Sequence, residues 1–424
     1  MTTGLWCVLI ATIVMLVLMF LDIPIFVSIF CGSMVYFALN PTVDITMMAQ
    51  RITSGIESTS LLACPFFIFA GVLFNYCGIT ERLMVFCNLV TGRIHGGLAQ
   101  ANILLSTIMG GMSGSNNADA AMEAKIMIPP MVEQGLPRNF STVITAFSSL
   151  ITPLIPPGIC MILYGTLAGV SVGKIFQAGF AVGILMCVTM MAFTAWVSRR
   201  RGYKPTREGK MGKGELMHSI KVSWPCLILP IIIIGSIRIG VCTPSEAGAV
   251  AVFYALILGL CYRELKVKNF VEALKEGAVS IGAIMMIVAA CSCYSWILTK
   301  EQVPQILTEV IMSAISNKVL FLLVVNLFML VVGMLMEGAS ATIILAPLLA
   351  PIAASYGLNA VHFCMIVTVN LSIGVLTPPV GTVMYVSCAT AGVEIGDFIK
   401  AGLPYYGYML VILAAVTYLP LLVL

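Results

Sequence analysis

Two apolar stretches decide how this chain is read. Ile155-Pro156-Pro157-Gly158, running on to Met161 and Tyr164, returns as Thr377-Pro378-Pro379-Val380, running on to Met384 and Tyr385, at an offset of 222 residues (378 − 156). The same offset lays Gly111-Met112 on Gly333-Met334, Pro129 on Pro351, and Gly55 and Ser58 on Gly277 and Ser280, so the register holds without insertion. The chain therefore has two halves built on one plan. Helix-breakers in corresponding positions of two hydrophobic halves are the sequence pointer to the binding site of a secondary transporter.

Composition names the solvent. Of the 424 residues, 60% are hydrophobic and 9% charged, and the mean hydropathy is +1.06. At roughly 20 apolar residues per crossing, such a chain has room for about ten spans and none for a separate soluble domain. The first twenty residues carry no charge, and no cation precedes Arg51. They lack the basic flank and small-residue cleavage site of a signal peptide, so a retained span is expected. The fourteen cysteines, Cys64, Cys160, Cys291 and Cys293 among them, lie mostly in apolar runs without metal-ligand spacing, where a thiol packs as a small hydrophobe. A net charge of +4 implies no nucleic-acid partner, because the cations gather where a simpler rule applies.

That place is 199–221, which holds eight of the 22 cations, from Arg199 to Lys221. The excess of positive charge in cytoplasmic loops puts this linker inside. It separates a first membrane repeat, 1–198, from a second, 222–424. In the first, spans are expected at 5–20, 24–39, 60–76, 138–167 and 175–197, with an amphipathic interfacial stretch at 43–57. The apolar run 97–131 is interrupted by Gly111-Met112-Ser113-Gly114-Ser115-Asn116-Asn117, the pattern of two half-helices meeting at a polar tip in a re-entrant hairpin. The second half repeats this at 222–237, 247–261, 266–276 (amphipathic), 279–298, a hairpin around 337–340, a span broken at 377–379 and a last span from 398. An odd number of crossings per half makes the repeats inverted and places both termini in the periplasm.

Irregular backbone survives at membrane depth only where it is buried in protein or lines a polar cavity, because an unpaired backbone group in hydrocarbon costs several kcal/mol. Four places qualify. Ser113, Gly114, Ser115, Asn116 and Asn117 offer hydroxyl and amide oxygens beside a half-helix N-terminus. Pro156 and Pro157 lack amide hydrogens and leave the carbonyls of Thr152 and Pro153 without their helical partners. Glu337, Gly338, Ala339 and Ser340, and then Thr377, Pro378 and Pro379, repeat the arrangement in the second half. Oxygen ligands suit a hard cation such as sodium, and half-helix N-termini suit an anionic group. A charge in a membrane segment is a functional candidate, which brings in Asp119, Glu123 and Lys125, although Glu123 can also serve to neutralise Lys125. His95 and His218 read as loop residues and His362 as an interfacial hydrogen-bonding residue. The 27 methionines read as packing.

These residues resemble the large membrane subunit of the tripartite ATP-independent periplasmic (TRAP) transporters, within the ion transporter superfamily. The likeness covers essentially the whole chain. It is carried by Ser113-Gly114-Ser115 with Ala118 and the Pro129 turn, and by Ile155-Pro156-Pro157 leading to Tyr164-Gly165. Thr243-Pro244-Ser245-Glu246-Ala247-Gly248 adds to it, as does Asn370 through Gly374 to Thr377-Pro378-Pro379-Val380-Gly381. Glu337 stands where the family usually has Asp, and Glu123 and Lys125 stand where small or apolar residues are expected. The resemblance implies an all-α polytopic fold that works as an elevator: hairpins and broken helices move against a scaffold whose arms are 43–57 and 266–276. It implies import of an organic acid such as a C4-dicarboxylate or sugar acid, delivered by a periplasmic binding protein and driven by sodium ions, with no other cofactor. A small four-span membrane subunit is expected as a separate chain, and the bacterial inner membrane as the location.

Two other readings compete. A sodium-dicarboxylate carrier that works without a binding protein shares the elevator plan. An intramembrane serine protease is suggested by Gly111-Met112-Ser113-Gly114, but its serine needs a histidine within hydrogen-bond reach, and a repeat has no place in it.

Overall fold

The computed structural model describes residues 3–21, 23–207, 223–225, 227–228, 231–233, 235–237 and 239–422, and every regular element among them is a helix. The first half comprises α1 (Thr3–Phe20), α2 (Ile25–Leu39), α3 (Thr46–Ile56), α4 (Ala63–Tyr76), α5 (Ile79–Thr91), α6 (Gly97–Ser113), α7 (Asn116–Glu133), α8 (Arg138–Ser148), α9 (Ile159–Leu167) and α10 (Val172–Arg200). After short helical pieces within 223–237 come α11 (Pro244–Cys261), α12 (Val267–Lys300), α13 (Val303–Ala314), α14 (Lys318–Leu335), α15 (Gly338–Ser355), α16 (Ala360–Gly374), α17 (Thr382–Ala391) and α18 (Ile395–Tyr418). From α5 onward each helix has its counterpart at the offset read from the proline pairs. Most of the basic linker, 208–221, lies outside the described residues.

Helices follow from the solvent. A chain in hydrocarbon must satisfy its amides within each segment, and the long apolar runs do so while turning Leu, Ile and Phe outward. Trp6, Ile13 and Phe20 on α1 are 52%, 51% and 77% exposed, which suits lipid or another apolar surface. Among the described residues eight helices are long and apolar enough to cross a membrane, or nine if α4 and α5, bent by 77° at Cys77-Gly78, count as one broken span.

Packing separates two groups. In one, α4 lies along α11 and α12, α2 along α1 and α12, and the amphipathic α3 along α12. Arg51 of α3 stands over the Trp296 ring at 5.2 Å, and Trp296 stacks on Phe37. The Tyr36 hydroxyl donates to Glu301 at 2.5 Å, and Asn40 donates to that hydroxyl. In the other group the hairpins α6–α7 and α14–α15 enclose the broken spans, with α10 and α18 around them. Phe147 packs edge-on to Tyr406 and against Tyr405, pinning α8 to α18.

Two expectations change. The second interfacial stretch and the span after it are one 34-residue helix, α12. Glu57-Ser58-Thr59-Ser60 breaks the first-half equivalent because hydroxyl side chains compete for backbone groups. Its counterpart, Val279-Ser280-Ile281-Gly282, carries a single hydroxyl and leaves the helix intact. Pro129 and Pro351 mark no turn but ride inside α7 and α15, near their ends.

Candidate ion and substrate site

The first hairpin tip is set by one residue without a side chain. α6 ends at Ser113, Gly114 adopts a left-handed φ of +62°, Ser115 is extended, and α7 starts at Asn116. A Cβ on Gly114 would lie 2.5 Å from the carbonyl oxygen of Pro157, so the tip presses on the proline break. The break itself is a 3₁₀ turn, Ser149–Leu154, followed by extended Ile155 and Gly158 before α9 begins. This broken span is 94% buried, against 22% for α1, which is where irregular backbone has to be. Pro156 and Pro157 are both buried within it.

The second half closes at a different pair. Gly333 of α14 meets Gly374 of α16 so closely that a Cβ on Gly374 would come within 2.6 Å of the Gly333 Cα. Met336 and Glu337 are extended, α15 starts at Gly338, and Ser340 is buried in its first turn beside Ala339. The Gly381 amide donates to the Met334 carbonyl at 3.2 Å, tying the break to the tip. Thr377 turns its hydroxyl back to the Ile373 carbonyl at 2.9 Å. Pro378 and Pro379 are more exposed than their first-half equivalents. Both Pro-Pro bonds are cis.

The two halves then interlock crosswise. α7 of hairpin 1 packs along α17, the far arm of break 2, and α15 of hairpin 2 packs along α9, the far arm of break 1. At the crossing, Asn117 donates to the Glu337 carboxylate at 3.3 Å and accepts from the Thr382 hydroxyl at 3.2 Å. A Cβ on Gly338 would lie 3.7 Å from the Cys160 sulfur. The N-termini of α7, α9, α15 and α17 therefore gather in one region, each contributing a positive dipole end. Beside them is a cavity of about 250 Å³ lined by Ser113, Ser115, Ile159 and Glu337 on one side, and by Gly71, Asn75, Glu276 and Ser280 of α4 and α12 on the other. The Tyr76 hydroxyl donates to Glu276 at 2.9 Å. This is the seam between the two packing groups.

Some expectations shift at the level of atoms. The Thr152 carbonyl is not left open, since the Ile155 amide reaches both Ile151 and Thr152 carbonyls at 3.3 Å. The Thr152 hydroxyl donates to Asp119 at 2.7 Å, so this side chain orients the interior carboxylate. Glu123 does not neutralise Lys125. Glu123 is buried and takes a hydrogen bond from Ser106 at 2.6 Å, while Lys125 is exposed on another face of α7. His362 is buried near the start of α16 and its Nε2 contacts the Val416 carbonyl at 2.8 Å; His95 is exposed, and His218 lies outside the described residues. Sequence reasoning missed Thr382, Asn75 and Glu276. Only Ser280, paired with Ser58 by the repeat, carried a signal toward that wall.

The family description "Tripartite ATP-independent periplasmic transporter, DctM component" matches residues 12–422. The chain belongs to this family. Among DctM relatives, the sialic acid TRAP transporter large permease protein SiaM of Vibrio cholerae is 34% identical over 404 residues, spanning 95% of this chain and 94% of that one. The C4-dicarboxylate TRAP transporter large permease protein DctM of Pseudomonas aeruginosa is 34% identical over 390 residues, spanning 92% and 91%. The crystal structure of the Alcanivorax borkumensis YdaH transporter superposes with a TM-score of 0.62 at 14% identity, covering 88% of this chain and 86% of that one, a likeness of fold. The protein is thus a multi-pass membrane component of a TRAP transporter, and the serine-protease reading of Ser113 falls away.

Proposed function

We propose that the chain is the large permease of a sodium-driven importer, which receives an organic acid from a periplasmic substrate-binding protein and moves it inward by an elevator motion. The observation that carries this reading is the meeting of four half-helix N-termini with two oxygen-bearing hairpin tips beside a cavity at the seam between two packing groups. Hydroxyl, amide and carboxylate oxygens at 113–116 and 337–340 would hold the coupling cation, and the N-termini would take the acid. Relatives named for sialic acid and for C4-dicarboxylates support an acidic cargo. The hairpins and broken spans would move against α1–α4, α11 and α12, a scaffold completed by a separate small four-span subunit in the bacterial inner membrane. The halves would be inverted repeats, 1–198 and 222–424, joined by a cytoplasmic linker at 199–221.

Reconstituted in liposomes with its partner subunit and binding protein, the protein accumulates the acid under an inward sodium gradient. Equal uptake when potassium replaces sodium, at fixed pH and membrane potential, overturns the sodium reading. Uptake that does not need the binding protein overturns the tripartite one and favours the simpler dicarboxylate carrier.

A further inference from the structure

We infer that Asn117 is a positioning residue that couples the candidate cation sites of the two halves, an inference that rests on the sodium-driven reading above. Its amide is used at both ends, with a chemical order. A carboxylate only accepts, so the amide NH₂ faces Glu337, at 3.3 Å, and the amide oxygen is left to accept from the Thr382 hydroxyl at 3.2 Å. Asn117 sits in the first turn of α7, Glu337 immediately before α15 and Thr382 at the start of α17. One side chain of hairpin 1 thus holds the tip of hairpin 2 and the far arm of break 2.

The repeat has no mirror image of this bridge. At the offset of 222 residues (339 − 117), Asn117 falls on Ala339, Glu337 on Ser115 and Thr382 on Cys160. Hairpin 2 therefore does not reach back through the same side chains, and among the described residues this polar bridge is made from hairpin 1 alone. The Asn117 backbone amide is also tied to the Asn116 side chain at 3.0 Å, so a shift of Asn117 is felt at the first tip. A cation that draws the Glu337 carboxylate toward itself changes the acceptor of Asn117 and with it the geometry at Ser115 and Asn116. By linkage the reverse holds equally: filling the first site presets Glu337 for the second.

The test measures sodium activation of uptake, in liposomes containing the partner subunit and binding protein, for the wild type, Asn117→Ala, Thr382→Val and the double variant. The expected result is a Hill slope above one in the wild type that falls to about one in each single variant, with the double variant no worse than Asn117→Ala, as for residues acting through one link. A variant that needs more sodium but keeps the wild-type slope overturns the inference, because Asn117 is then only a ligand. Additive losses in the double variant overturn it as well. A second arm does not depend on the driving ion: hydrogen–deuterium exchange around 381–383 should quicken about fivefold or more in Asn117→Ala, although the substitution lies in the other half. Unchanged exchange there overturns the bridge. Sodium-independent uptake by the wild type defeats the functional reading alone, and this arm still decides whether the link exists.

Discussion

At the scale of the residue, the site depends on atoms that are absent as much as on those present. Gly114 serves because any larger residue would meet the Pro157 carbonyl at 2.5 Å and would hold a φ of +62° against its preference. The left-handed backbone alone costs an L-residue about 1–2 kcal/mol. Relieving the contact must also push the tip off the break. Gly114→Ala is therefore expected to abolish sodium-driven uptake while the protein still inserts and purifies with its partner, as checked by co-purification and transport assay. Retained uptake would show that the tip does not need to seat on the break. Asp119 and Glu123 illustrate a different economy: each buried carboxylate is met by a hydroxyl, from Thr152 and Ser106, in helices that pack against α7.

At the scale of the element, the Thr-Pro-Ser-Glu run is an N-cap and not a site. Thr243 accepts from the Glu246 amide at 3.3 Å, and the Glu246 carboxylate accepts from the Thr243 amide at 2.7 Å. Pro244 at the first helical position completes a reciprocal capping box at the start of α11. Thr243→Ala should destabilise the protein by about 1 kcal/mol, seen as a lower apparent melting temperature, with the sodium dependence of uptake unchanged. A changed sodium dependence would give the run a functional part that its geometry does not. The length of α12 is also an element-scale outcome, since an interfacial arm continuous with a span transmits any tilt of one to the other.

At the scale of the whole molecule, the proposed inverted halves and cytoplasmic linker imply an orientation that membrane labelling can check. In a background without native cysteines, Lys210→Cys should resist an impermeant maleimide in intact cells, while Thr3→Cys and Leu421→Cys should react. Labelling of one end only from outside would mean that the halves are not inverted copies, and the two-fold placement of the ion sites would lose its basis.

The sequence by itself determined the solvent, the repeat, the hairpin tips and the two breaks. Hydropathy is additive along the chain, and helix-breaking by Gly and Pro is local, so neither needs a partner to be read. It left 77–96 unassigned, because α5 lies in a stretch of mixed polarity and follows a bend at Gly78. It also could not say that Asn117 meets residues 220 and 265 positions away, or that Glu276 and Asn75 wall the cavity. Those facts belong to the crossed packing of α7 on α17 and α9 on α15, and to the packing of α4 and α12 against the two hairpins. Side chains distant along the chain become neighbours only when two helix pairs close on each other, and only the tertiary structure decides that.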